Sequence, residues 1–397
     1  MTELVRRKER LAGLFLLALT IINAASILSL ASQLRRGYQD FTIFYCSGLM
    51  LRGGEVSRLY DLQRQYQVQL QFAPYVDIRQ VALPYNHPPF EALLFWPLAY
   101  LSFFPAYLVW NLLNAIMLTV GVAIVKRTFK EVSDLHNWFL FLAVCAFPPI
   151  AIALMQGQDS VVLMFFATAG LILLERKRDA AAGVALALCL FKLQIALPLT
   201  LILALRRPRL LAGFAPAAAA LTVISVTMVG WNGMVQYVDY VLKLEKTGAG
   251  GAIQASSMPN LHGLIASTLG QGKGPFVTWS TIAASVVAVG LAAWLVRSRN
   301  ASVRFLFAVA SITAILVSYH AIWHDLSLLV PVVLLLFAAP STEQTQEVRS
   351  DATLLILLYA ILWISTYWTR LSPIWALPAL LWLFRKRDVL RMNEAIA

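Results

Sequence analysis

One carboxylate, Asp40, lies in the segment YQDFTIFY, a few residues after the first apolar run of the chain. An ionisable group close to membrane depth is costly and is a candidate for function. Asp40 could accept the proton of an attacking hydroxyl group, which is the work of a general base. A loop aspartate that pairs with Arg35 or Arg36 would have the same sequence. The position by itself therefore leaves both interpretations open.

The segment Tyr85-Asn86-His87-Pro88-Pro89 ends the polar stretch that contains Asp40. Two prolines suit the first turn of a helix, where no backbone N–H is needed. They leave Tyr85 and His87 unexplained. A tyrosine here is also typical of the aromatic belt at a membrane surface, whereas His87 has no such explanation. We take both as candidates for substrate binding.

Lys192 lies within the apolar segment ALCLFKLQIALPL and has no acidic neighbour in the sequence. A buried ammonium group at such a position needs a partner. A lipid phosphate is one candidate, held by Lys192 as a point charge. Alternatively, Lys192 lies at the apex of a short helical hairpin and extends its ammonium group to the aqueous boundary. The two interpretations stand level.

Two polar turns interrupt the later apolar runs. Gln156-Gly157-Gln158-Asp159 is most simply a turn between helices. The second, Ser318 to Asp325, contains two histidines, His320 and His324, which on a helix would share one face. No third ligand is spaced to complete a zinc site, so we predict no metal site. A His/Asp group that binds a substrate hydroxyl or phosphate fits this turn better.

Several kinds of chemistry have no motif in this sequence. No phosphate-binding glycine loop, dinucleotide fingerprint, nucleophile elbow or kinase motif occurs. Cys46, Cys145 and Cys189 are widely separated, so neither a disulfide framework nor a zinc site is predicted. Charged residues do not recur through successive apolar runs, as a pump or voltage sensor would need. We expect no cofactor.

The composition is that of a polytopic membrane protein. Hydrophobic residues make up 59% of the chain and charged residues only 13%, whereas soluble proteins have about half and about a quarter. The net charge of +12 does not indicate nucleic-acid binding, because the basic residues cluster beside apolar runs, as they do at cytoplasmic membrane borders. These clusters lie at residues 6–10, 175–178, 206–209, 297–299 and 385–387. One integral domain over residues 1–397 is the simplest prediction.

The basic clusters also predict a topology. A retained first helix over 11–33 runs outward, which makes 34–87 a first external loop with short interfacial helices and 231–276 a second. Residues 385–397 form a cytoplasmic tail. Residues 88–104 are either a broken, partly re-entrant helix or a complete span. The other predicted apolar segments are 106–125, 138–155, 160–174, a hairpin over 180–205, 210–230, 277–296, 303–317, 326–339, and a last hairpin over 352–367 and 373–384 around a cytoplasmic loop at 341–350.

This topology rests on lysine and arginine alone, yet it places the conspicuous acids and histidines on one external side, His136 excepted. Several short elements also follow one another in a particular order. They are Asp40 after the first span, Tyr85 to Pro89, Gly157-Gln158, Ala182-Gly183 leading to Lys192, Pro259-Asn260, and Ser318 to Asp325. In this order and spacing the chain resembles glycosyltransferase family 87, from Leu11 to about Pro340. That family consists of mannosyltransferase-like bacterial membrane enzymes of the GT-C fold.

The resemblance implies an all-α, GT-C-like bundle of about 11–13 membrane helices at about 20 residues each. It implies transfer of a mannose-like hexose from a polyprenyl-phosphate donor to a lipid or glycan acceptor, on the external face of the inner (plasma) membrane. Asp40 would be the general base, in a direct displacement with inversion. The substrate-binding residues would be Tyr85, His87, Gln158, Lys192, Asn260, His320, His324 and Asp325. The implied partners are the donor, the acceptor and membrane lipids.

Two departures from the family pattern concern the acceptor. The family often has Asn-Gln-Ser where this chain has Asn260-Leu261-His262, and Ser-Pro where it has Ser318-Tyr319. A transporter or flippase of a lipid-linked substrate is the alternative function, and a non-catalytic scaffold is a third. A transporter would line a route with polar groups on both sides of the membrane, whereas here the non-basic polar groups are predicted on one side.

Overall fold

The computed structural model describes residues 3–133, 135–247, 255, 258–269, 274–297, 301–337, 359–364, 374, 377–378, 381–382 and 384. Within these residues the regular elements are helices, and no strand occurs. The α-helices are α1 (Glu3–Ser29), α2 (Ala31–Arg35), α3 (Phe41–Arg52), α4 (Leu62–Leu70), α5 (Tyr75–Arg79), α6 (Ala92–Phe95), α7 (Phe103–Thr128), α8 (Lys130–Ser133), α9 (Asn137–Cys145), α10 (Pro148–Gln156), α11 (Ser160–Glu175), α12 (Asp179–Ala187), α13 (Leu193–Ala204), α14 (Leu211–Thr247), α15 (Leu261–Thr268), α16 (Pro275–Val296), α17 (Val303–Val317) and α18 (Val330–Phe337). Short 3-10 helices lie at Val56–Arg58, Pro89–Glu91, Pro97–Tyr100, Leu190–Lys192, Pro208–Leu210 and Trp323–Leu329.

The predicted all-α membrane bundle is confirmed. Among the described residues, four helices are long and apolar enough to cross a membrane: α1 from Leu11, α7, α14 and α16. Two bent helix pairs raise this number to six if each pair forms one span. Large apolar side chains on α16 face outward, with Trp279 69% and Val286 66% exposed. Lipid is the environment in which such a surface is stable.

Prolines break two of the predicted apolar segments. The sequence predicted one segment over 138–155, but α9 and α10 are bent by 64° at the residues between them. Pro148 has no N–H to donate into a continuing helix, and the preceding Phe147 is extended. Residues 88–104 form only short helical pieces interrupted at Pro97. Of the two alternatives for 88–104, the structure shows the broken helix.

The predicted hairpin over 180–205 is present. Helix α12 and the helical segment that starts at Leu190 are bent by 62°, and Lys192 ends the 3-10 helix that follows the bend. The two outer ends return to each other, because the Nε of Arg207 lies 3.6 Å from Oδ1 of Asp179. A Cβ on Gly183 would lie 1.9 Å from the carbonyl oxygen of Leu210, so only glycine permits this approach. The hairpin presents Lys192 at its apex.

The predicted helices of the first loop are present. The carboxylate of Asp61 accepts a hydrogen bond from the backbone N–H of Arg64 and so caps α4. Helix α3 packs closely on α6, since a Cβ on Gly48 would lie 2.5 Å from the carbonyl oxygen of Phe95. The ring of Phe44 stacks on that of Phe95 at 4.6 Å between centroids. The loop is thereby fixed against the start of the next membrane region.

The predictions for the chain from residue 231 onward agree with the structure in part. Helix α17 has the predicted bounds of 303–317, and α16 covers 277–296. The range 231–276, predicted as a loop, contains helix up to Thr247 after a break at Gly230, and then α15. The loop at 341–350, the tail at 385–397 and most of the last hairpin lie outside the described residues.

Candidate active site

Asp40 is half-buried immediately before α3, and the turn between α10 and α11 holds it at two points. Its backbone N–H donates to Oε1 of Gln156 at 3.0 Å. Its Oδ2 accepts a hydrogen bond from Nε2 of Gln158 at 2.8 Å. Within the described part of the chain no cation lies within ion-pair distance of this carboxylate. Arg35 and Arg36, the pairing partners considered from the sequence, therefore do not neutralise Asp40.

The turn itself is fixed by α3 and α7. Gly157 has a φ of +61°, and a Cβ there would lie 2.7 Å from Cβ of Phe41. The carbonyl of Gly157 accepts a hydrogen bond from Nε1 of Trp110 at 2.9 Å. The hydroxyl of Tyr107 donates to the carbonyl of Met155 at 2.9 Å. The position of Asp40 is thus determined by a rigid turn more than a hundred residues later in the chain.

A buried ion cluster begins at the next residue of the turn. Nζ of Lys192 lies 2.9 Å from Oδ1 of Asp159 and 2.8 Å from Oδ1 of Asp325. The side chains of Lys192, Asp159 and Asp325 are 5%, 0% and 2% exposed. Buried charges are tolerated when they are paired in this way. The partners of Lys192 are therefore two carboxylates that the sequence placed far away.

Asp325 also orients a histidine. Its Oδ2 accepts the backbone N–H of Ile322 at 2.9 Å. The hydroxyl of Ser160 donates to Oδ1 of Asp325 at 3.0 Å and lies 2.8 Å from Nδ1 of His324. Nε2 of His324 is buried without a hydrogen-bond partner among the described residues. The imidazole is held at one nitrogen and leaves the other available.

His87 and Glu91 adjoin the same cluster from the other side. Nδ1 of His87 lies 2.8 Å from Oε2 of Glu91 and 3.5 Å from Oδ2 of Asp159. Burial lowers the pKa of His87 to about 4, so the imidazole is neutral at neutral pH. Burial and the adjacent Asp159 carboxylate hold the pKa of Glu91 well above its usual range. Burial opposes ionisation of Asp159 too, but Lys192 and His87 outweigh it, and the pKa of Asp159 is lowered.

Tyr85 and Asn260 have their polar groups engaged within the protein. The buried hydroxyl of Tyr85 donates to the carbonyl of Pro88 at 3.1 Å. The side-chain amide of Asn260 donates to the carbonyl of Ser318 at 2.7 Å, and its Oδ1 accepts the N–H of Gly263 at 2.7 Å. Asn260 thereby joins the start of α15 to the turn that contains the histidines.

His320 and His324 do not share a helical face, because the 3-10 helix begins after His320, at Trp323. The carbonyl of His320 accepts a hydrogen bond from Nε2 of Gln194 at 3.3 Å. Burial lowers the pKa of His320 to about 4, although the nearby Asp325 opposes this shift. His320 therefore lies beside the ion cluster as a neutral imidazole at neutral pH.

The structure thus joins four of the nine predicted site residues in one cluster of direct contacts, namely His87, Lys192, His324 and Asp325. Asp40 and Gln158 contact each other next to this cluster in the chain, at Asp159. Sequence reasoning missed Glu91, Asp159 and Ser160 as members of the site. A signal for Glu91 was present, because it is an acidic residue inside an otherwise apolar run. Asp159 was interpreted only as part of a turn, and Ser160 only as the start of a helix. Their roles depend on contacts with distant residues that the local sequence does not reveal.

Comparison with protein families decides the class of the protein. The model of glycosyltransferase family 87 matches residues 85–318, more than half of the chain. The chain belongs to glycosyltransferase family 87. Membership indicates a glycosyltransferase, as the resemblance in the sequence implied. The matched region contains His87, Glu91, Asp159 and Lys192, but it starts after Asp40 and ends before His320. No curated protein and no solved structure matches the chain.

Proposed function

We propose that this glycosyltransferase moves a hexose from a polyprenyl-phosphate donor to a lipid or glycan acceptor, with Asp40 as the general base. The observation that carries the proposal is the environment of Asp40. Its carboxylate is half-buried, accepts one hydrogen bond from the neutral amide of Gln158, and has no ion pair among the described residues. The acids next to it, Asp159 and Asp325, share Lys192. Asp40 is thus half-exposed and free of the ion pairs that hold Asp159 and Asp325, so an acceptor hydroxyl can approach its carboxylate.

The proposed step is one displacement at the anomeric carbon. The acceptor oxygen forms a bond to this carbon from the face opposite the phosphate, and its proton passes to Asp40. The bond between the anomeric carbon and the phosphate oxygen breaks, and its electron pair leaves with polyprenyl phosphate. The configuration of the sugar is inverted. A phosphate leaving group needs little protonation, so one base and stabilisation of the phosphate charge suffice.

His324 is suited to contact the donor phosphate. Its Nε2 is buried and unpartnered among the described residues, while Nδ1 is held by Ser160 and Asp325. Nε2 of His324 would contact a phosphate oxygen, while Asp325 and Ser160 hold the ring at Nδ1. Lys192 is less suited to this contact, because two carboxylates already neutralise its ammonium group. Tyr85 and Asn260 would act by positioning the segments that carry His87 and the histidine turn.

The external side of the membrane is proposed from the positions of the basic residues. Helix α11 begins beside the cluster at Ser160 and ends before the basic residues 176–178. Helix α13 begins after Lys192 and ends before the basic residues 206–209. The cluster and the basic residues therefore lie at opposite ends of the same helices. Since basic residues favour the cytoplasmic side, the site would open on the external face of the plasma membrane.

The test is an in vitro transfer assay with a panel of polyprenyl-phosphate hexoses and membrane lipid extracts as acceptors. We expect one donor to support transfer, and Asp40→Asn to lower the rate by about 10²–10⁴-fold, the usual contribution of a general base. Asn retains the size of the side chain and an oxygen that can accept from Gln158.

A matched control is Asp77→Asn, since Asp77 is an exposed aspartate of the same external loop. It should transfer at the wild-type rate, and thermal unfolding should confirm that both variants are folded. Full transfer by a folded Asp40→Asn would exclude the proposed base. Transport of a labelled lipid-linked sugar without transfer from any donor of the panel would instead favour the transporter alternative.

A further inference from the structure

Three side chains from two separate segments bring their ligand atoms together beside the ion cluster. The ligand atoms of His87, Glu91 and Asp159 all lie within 4.8 Å of one another. Ligand atoms around a tetrahedral ion at about 2.0–2.2 Å lie about 3.3–3.6 Å apart. Binding would therefore draw the more distant of these atoms together by up to about 1.5 Å. Among the described residues no other group of this kind was found.

The carboxylate of Glu91 is the second observation that points to a ligand. Glu91 is 0% exposed, and neither of its oxygens has a hydrogen-bond donor of regular geometry. Nδ1 of His87, although only 2.8 Å away, is also without a regular hydrogen bond. A buried carboxylate without donors is costly. The protein thus gives the Glu91 carboxylate neighbours of irregular geometry, Tyr85, His87 and Asp159.

Asp159 is directed toward the same point. It occupies the N-cap position of α11 but does not use its side chain to cap that helix, which is the usual use of aspartate there. One oxygen, Oδ1, contacts Lys192 at 2.9 Å, while the other, Oδ2, faces His87 at 3.5 Å. Lys192 and a second cation can therefore bind to different oxygens of this carboxylate.

The cluster has more carboxylates than cations. Asp159 and Asp325 share the single ammonium group of Lys192, and Glu91 adds a third acid. Either a proton on Glu91 or a cation beside it must compensate this excess. A divalent ion bound by Glu91 and Asp159 would neutralise two carboxylates together.

We propose that His87, Glu91 and Asp159 bind a divalent transition-metal ion such as Mn²⁺ or Zn²⁺. One imidazole and two carboxylates suit such an ion, whereas Ca²⁺ takes six to eight oxygen ligands. Three protein ligands leave a coordination position open, as in catalytic sites. That position would lie near Asp40, because Gln158, the neighbour of Asp159, donates to Asp40. A phosphate oxygen of the donor is the group that we place there, and this part rests on the proposed function.

The binding experiment uses the purified full-length protein, freed of metal with EDTA and titrated with Mn²⁺ or Zn²⁺ without any sugar donor. Electron paramagnetic resonance measures bound Mn²⁺, and elemental analysis measures Zn²⁺ after dialysis. We expect one ion per chain, and at least tenfold weaker binding in Glu91→Gln and in His87→Ala. Asp77→Asn, which removes an exposed carboxylate of the first loop, should bind as the wild type does.

Three outcomes would overturn the site: no stoichiometric binding of either ion, wild-type affinity in both ligand variants, or weaker binding in Asp77→Asn to the same degree. Because Glu91→Gln can also affect folding, the shift in thermal unfolding of the wild-type protein on adding Zn²⁺ gives a second measurement, expected to be an increase that EDTA reverses. The role at the phosphate is tested separately. Full transfer by the metal-free enzyme would overturn that role while the binding site stands.

Discussion

Asp40 and Asp159 are two aspartates in the same kind of local position with different surroundings. Each lies at the N-cap of a helix, α3 or α11, and neither side chain caps its own helix. Asp40 is half-buried and accepts one hydrogen bond from a neutral amide. Asp159 is fully buried and contacts an ammonium group and an imidazole. The comparison shows that a distant partner, not the residue type or its place on the helix, decides the surroundings of each carboxylate.

The difference follows from electrostatics. An ammonium group at 2.9 Å holds the Asp159 carboxylate ionised, because protonating it would leave Lys192 with one counter-charge fewer in a buried place. A neutral amide orients Asp40 without supplying an opposing charge. Asp40 is therefore oriented without an ion pair among the described residues. One turn connects the two aspartates, because Gln158 orients Asp40 and the next residue in the chain is Asp159.

Removing Lys192 would break the buried side of this comparison, and we expect the largest effect there. Lys192→Met leaves Asp159 and Asp325 buried without their shared cation, which should cost about 3–5 kcal/mol of folding free energy. Thermal unfolding of the detergent-purified protein measures the loss. Lys130→Met, at an exposed lysine of α8, is the control and should unfold at the wild-type temperature. Equal unfolding temperatures for both variants would show that Lys192 is not structural.

Much of the fold could be predicted because it depends on local patterns. The bounds of α16 and α17 follow from apolar runs between polar or basic residues, and the hairpin apex follows from Lys192. The bend before Pro148 could have been predicted from the proline alone. The helical part of 231–247 was missed because the whole range 231–276 is rich in Gly, Ser, Asn and Pro and was taken as one loop. In the structure Tyr237 and Tyr240 pack on Tyr60. Tertiary contact decides that segment.

Some members of the site could be predicted from the sequence, but Glu91, Asp159 and Ser160 were missed, and the pairings between members could not be predicted. The residues of the site carry chemistry that their apolar surroundings make conspicuous, as Lys192 and Asp40 do. Which carboxylate neutralises Lys192 depends on the packing of α11, α13 and the turn at Asp325, and no local pattern specifies it. This is why the sequence left Lys192 between a lipid phosphate and the aqueous boundary, whereas the structure gives it two aspartates.

Removing the orienting amide would break the other side of the comparison with a smaller effect. Gln158→Ala deletes the 2.8 Å hydrogen bond to Asp40, and hydrogen bonds to charged groups contribute about 1.5–3 kcal/mol. If this bond positions the base, kcat should fall by at least about tenfold while the KM for the donor changes little. Stability should change less than in Lys192→Met, since the buried ion pairs remain.

Steady-state kinetics with the donor identified in the transfer assay measures this effect. Gln63→Ala, at an exposed glutamine of α4 in the first loop, is the matched control and should have the wild-type kcat. A Gln158→Ala enzyme with unchanged kcat would show that Asp40 needs no partner in the turn. A rise in KM alone would instead assign Gln158 to binding of the donor.

The pH dependence of stability gives the smallest effect and tests the buried side without breaking an ion pair. His320 has a folded pKa of about 4, against an ordinary value of 6.5. Between these values the unfolded chain binds more protons at this residue than the folded protein does. The contribution of His320 to stability therefore falls as the pH is lowered from about 6.5 to about 4, by at most about 1.4 kcal/mol per pH unit. His320→Gln should therefore lose less stability on acidification than the wild type.

Thermal unfolding at pH 7, 6 and 5 measures the difference, in which the contributions of His87 and Glu91 cancel because both proteins contain them. A variant as acid-sensitive as the wild type would mean that His320 gains its proton without opening the ion cluster. The contrast between a closed ion cluster and an accessible Asp40 would then have to be abandoned.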